Sequence, residues 1–455
     1  MKGLAILATV VAGLVLASPA AAQPQQLTYT YGPVSLSPFE VDQGTALGGV
    51  PKPNVDGYIT RMEVEVVDAH GDRISPLHLM LHHVVFLNLG QPSRFDHRDW
   101  TCSIFTGLDG ETKLPALADR FYAAGEERNK LDLPDGYGYP VKGDDNWIMT
   151  WMLMNHHATN AKAWIQYKIT YETERTLAPT YMVWLDVRNC LSDPVFDVPG
   201  GGAPGSTYSQ STTWTATQAG RIVAGGGHLH GGGRSIVLSE PDCGGRELFS
   251  SRPLYGLPDN DFYKVVPVLH EPGPINMSGF TAPGGIPVAR GQRLRIAANY
   301  DNSALHTRVM GIFGVYLSPD AGVTAGCGAL PPLQAHASAE PGRTEPPRFV
   351  VPLARKPKGT LRGLGRRRTI RVTDFRYARQ RLRVRRGTSL RWRFDGAFLH
   401  NVTVANGPRG FSSKNLDGGR SFRHRFGVPG TYRLYCTLHP TQMTMEVKVR
   451  NRRRH

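Results

Sequence analysis

The sharpest chemical signal in this 455-residue sequence lies near its C-terminal end. Cys436, His439 and Met443 fall in the run Tyr435-Cys436-Thr437-Leu438-His439-Pro440-Thr441-Gln442-Met443. A second imidazole, His400, stands upstream in Phe398-Leu399-His400-Asn401-Val402-Thr403-Val404. One thiolate, two imidazoles and a distant thioether make the ligand set of a type 1, blue-copper electron-transfer site. The soft thiolate holds copper in both oxidation states, and the weak axial thioether tunes its potential. Gln442 is a minor rival to Met443 for the axial place.

Further histidines gather upstream. His82 and His83 are adjacent in Leu81-His82-His83-Val84-Val85-Phe86, with His78 just before. Neighbouring residues on a strand point to opposite faces, so such a pair can hold one metal only where the strand ends or bulges. His156 and His157 follow Trp151-Met152-Leu153-Met154-Asn155. His228 and His230 are separated by one residue and flanked by glycines at 225–227 and 231–233. On a strand, that spacing puts both rings on one face as a chelate, and the glycines let the backbone bend close around them. His306 and Met310 come last, in Leu305-His306-Thr307-Arg308-Val309-Met310-Gly311.

The elements that must position these groups read as strands. His400 sits in an alternating, β-branched run, and Cys436 ends another, Gly430-Thr431-Tyr432-Arg433-Leu434-Tyr435. The loop with His439 and Met443 rejoins a strand at Met445-Glu446-Val447-Lys448-Val449. Similar patterns recur upstream, for example Tyr58-Ile59-Thr60-Arg61-Met62-Glu63-Val64. With Gly 51 and Pro 34 and little helical periodicity, the chain is expected to be all-β. The simplest organisation is two tandem β-sandwich, jelly-roll-like domains at 23–175 and 176–327. A Pro/Arg-rich linker at 328–368, a Greek-key sandwich at 369–450 and a basic tail at 451–455 follow.

Met1-Lys2, the apolar run from residue 3 to 16 and Ala20-Ala21-Ala22 predict a signal peptide cleaved after residue 22. That run is short of the ~20 residues a membrane span needs, and no later stretch is long enough. The expectation is a secreted or periplasmic protein without a transmembrane segment after cleavage. With Cys436 assigned to metal, Cys102, Cys190, Cys243 and Cys327 suggest two disulfides with the pairing open. From residue 343 onward there are 29 Lys and Arg against 5 Asp and Glu, a net +24; the whole chain totals +16, leaving −8 on the rest. Such a basic module could dock on its own acidic body or on an anionic envelope surface. Export argues against nucleic acid. A flexible linker over residues 331–368 would span roughly 30–40 Å, predicting a tethered, salt-sensitive donor.

Residues 369–450 resemble the plastocyanin-like cupredoxins, through His400-Asn401-Val402 and Cys436-x2-His439. Residues 27–317 resemble the copper type II, ascorbate-dependent monooxygenases, the family of peptidylglycine alpha-hydroxylating and dopamine beta-monooxygenase. That second resemblance rests on the ordered ligands. It implies a first-domain copper on His82, His83 and His156, with His157 a close rival, that relays an electron. It also implies a second-domain copper on His228, His230 and Met310 that binds O2 and hydroxylates. Gly226 and Gly314 stand where the peptide-processing members carry an arginine and a tyrosine, which sets peptide amidation in doubt. No glutamate follows within a few residues of His230, as a cupin would require. The sequence around Cys436 lacks the His-Cys-His of a multicopper oxidase.

Two functions follow as expectations. One is an exported monooxygenase, its catalytic residues unassigned, using one type 1 and two type II coppers and O2. Its own cupredoxin would supply the electrons, recharged by a redox partner protein or a small-molecule reductant. The other is a non-catalytic copper-binding or electron-carrier protein of the cell envelope.

Overall fold

The structure is a computed structural model, and it describes residues 24–89, 118–188, 194–364 and 368–451. The expected leader, Cys102, Cys190 and most of the basic tail lie outside these residues. Among the described residues the regular structure is β-strand with two short 3-10 turns, Pro241–Cys243 and Asp261–Tyr263, as the all-β reading expects. None contains a helix long and apolar enough to cross a membrane.

In the first unit, the strand Gly57–Val67 shows why a sandwich forms. Met62, Val64 and Val66 point inward while Arg61, Glu63 and Glu65 face out, the alternation of a half-buried antiparallel strand. A bulge between Ile59 and Arg61 shifts the phase, so Ile59 is buried as well. Gln25–Leu36, Ala161–Glu172, Gly57–Val67, Tyr137–Val141 and Ala178–Pro179 lie in that order in one sheet, with Leu131–Asp132 attached. The facing sheet runs Val41–Ala46, Asn146–Asn155, Leu79–Leu89, Ala118–Gly125. Between them Phe121 stacks on Tyr139 at 4.7 Å, and Phe86 meets Tyr167 edge-on at 4.9 Å.

The strand Leu79–Leu89 is buried almost throughout, because both of its faces are covered. One face packs into its own sandwich. The hydrophobic core then continues into the second unit through Trp184, Ala224, Met310, Ile312 and Tyr316. Tyr316 Oη donates to Phe121 O at 3.2 Å across this seam.

In the second unit, Tyr181–Asp186, Gly311–Pro319, Gly220–Leu229, Gly279–Val288 and Gln334–His336 form a five-stranded sheet. It faces Thr207–Thr215, Arg293–Asp301, Gly233–Glu240 and Arg246–Ser251. A disulfide joins Cys243 to Cys327, one of the bridges expected from the cysteine count. The third unit packs Arg362–Gly363, Arg381–Arg385, Thr444–Arg450, Gly430–Tyr435 and Thr403–Asn406 against a four-stranded sheet, around Trp392, Phe426, Tyr432 and Leu434.

Residues 331–364 are not the free tether that their composition suggests. Gln334–His336 extends the second unit's sheet, and Gly342–Arg343 pairs with Pro253–Gly256. Val351 packs with Ala405 and Tyr435, and its carbonyl accepts from Asn406 Nδ2 at 2.7 Å. Arg362–Gly363 joins the third unit's sheet. Composition alone cannot reveal such two- and three-residue pairings.

A two-stranded ribbon, Phe196–Val198 against His306–Val309, carries the contact with the third unit. Thr307 Oγ1 donates to Val404 O at 2.9 Å, Arg308 Nη1 to Ser413 O at 2.8 Å, and Gly410 N to Pro199 O at 2.9 Å. Asp197 accepts from Arg308 N at 3.0 Å on one oxygen and from Ser412 N at 2.7 Å on the other. Asp197→Asn would turn an amide NH2 toward one of these two backbone donors. Leaving a buried donor unmet costs about 1–3 kcal/mol. The variant is expected to melt earlier by calorimetry and to become cleavable within residues 331–364 by limited proteolysis.

Candidate metal centres

The first centre lies in the third unit. Cys436 and Met443 are fully buried, His400 is nearly so, and His439 is half-buried. His400 Nδ1 lies 3.1 Å from His439 Nδ1, and Cys436 Sγ is 3.7 Å from His439 Nδ1. These separations suit donor atoms arranged about one ion, with both rings presenting Nδ1. The loop closes on itself: Met443 N donates to His439 O at 2.9 Å and Cys436 N to Met443 O at 3.1 Å. Met443 thus turns inward while Gln442 is exposed, which favours Met443 for the axial place.

The supporting groups fix this arrangement. Asp374 Oδ1 lies 3.3 Å from His400 Nε2, orienting the ring so that Nδ1 faces the centre. Asn401 N donates to Cys436 Sγ at 3.4 Å, and Asn401 Nδ2 to Thr437 Oγ1 at 2.6 Å, which ties the two ligand segments together. Burial pushes the Cys436 thiol above its ordinary range, so copper must displace a proton to bind there. Burial, with His400 beside it, lowers His439 to about 4, and burial also lowers His400 against the pull of Asp374. Both imidazoles are therefore neutral donors at neutral pH.

The second centre lies at the seam between the first two units. A bulge falls in the strand Leu79–Leu89: Leu81 opposes Leu153 and His83 opposes Met152, leaving His82 unpaired. This is the irregularity that an adjacent histidine pair needs, and His82 Nδ1 comes within 3.0 Å of His83 Nδ1. His228 ends the strand Gly220–Leu229, and His230 follows it, its N–H donating to Tyr300 Oη at 2.9 Å. The ring centroids of His82 and His230 are 5.1 Å apart, as are those of His228 and His230.

Three groups that sequence reasoning missed join them. His270, from a second-unit loop, has its ring 5.1 Å from His82. Its Nε2 contacts Glu126 Oε1, which lies 3.8 Å from His82 Nε2. Glu127 Oε1 sits 3.0 Å from His228 Nδ1, leaving Nε2 of that ring for a metal. A lone histidine in Leu269-His270-Glu271 and a Glu126-Glu127 pair after a glycine carry no periodic signal. Only the acidic pair beside Gly125 hinted at a tight turn.

Burial and the neighbouring imidazoles, His270 and His230 foremost, hold His82 well below its ordinary pKa. Burial, then His228 and His270, do the same to His230, whose Nε2 is buried without a hydrogen-bond partner. Burial also opposes charge on His228, but Glu127 outweighs it and raises that ring's pKa. An orphaned nitrogen among neutral imidazoles fits a bound cation.

Of the six residues expected to hold type II copper, His82, His83, His228 and His230 converge here. Met310 is buried and lines the same cavity. His156 is buried just beyond the end of Asn146–Asn155. Burial, with His270 nearby, lowers it to about 3. His157 instead contacts His78 on the exposed side. Members of both expected trios thus meet at one seam.

A cavity of about 430 Å³ adjoins both centres. His82, His83, His230, His270 and Met310 form one side; Tyr435, Thr437 and Leu438, which flank Cys436, form another. A second cleft of about 1670 Å³ opens away from the third unit, floored by Gly226 and Gly314, which lie opposite each other in register.

Comparison with known proteins follows the same division. Residues 195–319 match the family described as Stress up-regulated Nod 19. Over 284 residues the chain is 27% identical to a probable copper-dependent oxygenase M1 from a Phoma species, covering 60% of this chain and 65% of that one. The chain thus spans just under two thirds of that relative's length. Over 74 residues it is 26% identical to amicyanin-alpha of Methylorubrum extorquens, covering 16% of this chain and 62% of that one. A solved purple cupredoxin from Nitrosopumilus maritimus aligns with 18% of this chain and 98% of its own, at 28% identity and a TM-score of 0.17. Copper is the metal that these comparisons imply.

Cys436→Ser is expected to abolish an intense visible absorption of the copper-loaded protein while leaving its melting profile nearly unchanged. Gly125 packs against the second centre, where an added Cβ would fall 2.8 Å from His228 Cε1. Gly125→Val should displace that ring and lower the non-blue copper content measured by atomic absorption, with the visible band retained.

Proposed function

We propose that this protein is an exported copper-dependent oxygenase whose third, cupredoxin-like unit supplies electrons to the copper centre at the seam. The observation that carries this reading is the shared cavity: residues flanking Cys436 and the histidine cluster line the same space. The oxygenase named among the relatives supports it over the body of the chain, and amicyanin-alpha supports it over the third unit.

In this reading His400, Cys436, His439 and Met443 hold a type 1 copper, and the seam histidines with Met310 hold type II copper. Bound there, copper would supply one-electron chemistry and reactivity toward O2. Inserting one oxygen atom into a C–H bond and releasing the other as water takes two electrons and two protons beyond the substrate. A blue copper delivers electrons singly, so the donor must be recharged within each turnover by an outside reductant.

The protein's own side chains prepare the site. Glu127 orients His228, Asp374 orients His400, and the bulge at His82 turns two neighbouring rings inward. Leu438 and Tyr435 wall the cavity on the donor side. With hydrogens at Gly226 and Gly314, apolar Met182, Trp184 and Tyr316 nearby and charged Arg61, Arg128 and Lys130 also in the lining, the larger cleft suits a bulky substrate with both apolar and polar parts. It offers no cation at those two positions to anchor a peptide carboxylate.

Because backbone hydrogen bonds and the ribbon hold the third unit in place, electron transfer should not depend on diffusion or charge attraction. After pulse reduction of the blue copper under anaerobic conditions, the visible band is expected to recover as electrons pass to the seam copper. The recovery rate should be independent of protein concentration and change little as salt rises. A rate proportional to protein concentration, or no recovery, would show that the blue centre serves an outside partner.

A further inference from the structure

We propose that one of the seam coppers is held across the domain boundary by His82, His270 and Glu126, with His156 taking no part. The proposal rests on the reading of the seam as a copper centre and deepens it.

Three observations carry it. Ligand atoms of His82, Glu126 and His270 lie within 4.8 Å of one another, a spacing that one ion could close. Glu126 follows the first unit's strand Ala118–Gly125, whereas His270 comes from a second-unit loop, so the cluster is complete only when the two units meet. Glu126 is also built into that loop: its Oε2 accepts from Gly273 N at 2.8 Å, which holds Oε1 toward the two imidazoles. His156 is not among the donor atoms that lie within 4.8 Å of one another, and its backbone N–H is held by His78 O at 2.9 Å.

The donor types suit copper. Two imidazole nitrogens give affinity, and one carboxylate supplies an anionic oxygen that favours the divalent over the monovalent ion. The neighbouring His228, His230 and Met310 include a thioether, which favours the monovalent ion. The seam would thus hold two unlike sites side by side. A metal shared between two units also ties their stabilities, because an ion that binds only the docked form stabilises that form. Without a metal, the same contacts amount to a Glu126–His270 ion pair, and the two cases predict different copper contents.

The test compares the full-length protein with His270→Ala, Glu126→Gln and His156→Ala, each loaded with Cu(II) and freed of excess. Copper per chain is read by atomic absorption, the site environment by EPR, and the cooperativity of unfolding by calorimetry. The blue band of the Cys436 site reports a folded third unit in every variant, and Glu126→Gln preserves side-chain volume in case His270→Ala misfolds. The expected result is one blue and two non-blue coppers in the wild type. His270→Ala and Glu126→Gln should each lose one non-blue copper and the added thermal stabilisation, while His156→Ala keeps both. Loss of a copper in His156→Ala alone would overturn the proposal and return the site to His82, His83 and His156. Retention of both non-blue coppers in all three variants would also overturn it. A wild type holding blue copper only would overturn both the proposal and the oxygenase reading beneath it.

Discussion

Five imidazoles and two carboxylates packed into the seam between two β-sandwiches are the constraint that organises this molecule. A polar group taken from water without a partner costs free energy, and a cluster of them costs more unless each is satisfied. The fold answers locally wherever it can. A bulge lets His82 and His83 turn to one side, Glu127 takes one nitrogen of His228, and Tyr300 takes the backbone of His230. What remains, including the bare Nε2 of His230, faces inward. Burial disfavours charge on His82 and His230, so their lone pairs stay available and a cation becomes the natural completion.

The same seam determines where the third unit must sit. The ribbon of Phe196–Val198 and His306–Val309 grips the cupredoxin-like unit along one edge, and Met310 follows it directly in sequence. A single short stretch therefore positions both the third unit and a candidate metal ligand at the seam. Arg308, at φ +55°, is held in that strained conformation by its bonds to Asp197 and Ser413. Packing, not linker length, sets the separation of the two centres.

The site around Cys436 was largely legible in the sequence, because three of its four candidate ligands share one loop; the fourth, His400, was expected within a strand but stands just before Thr403–Asn406, held by a single bridge to Leu416. The all-β architecture was legible because period-two burial in strands such as Gly57–Val67 leaves a mark in the order of residue types. The seam was legible only in part. His82, His83, His228 and His230 could be singled out by spacing. His270 and Glu126 could not, since they enter from loops whose approach depends on how two domains dock. His156 was singled out as the histidine near a strand end, with His157 its rival, and adjacency in sequence says nothing of which ring turns where. The segment 331–364 misled through composition: proline and arginine suggested a tether, while its actual course is set by a few backbone pairings and the packing of Val351.

Anomalous diffraction at the copper edge, from crystals of the copper-loaded full chain, tests the central claim most directly. The account predicts density at the Cys436 loop and, separately, in the seam among His82, His230 and His270. Density at the Cys436 loop alone, or a second peak only at the exposed His78 and His157, would contradict it.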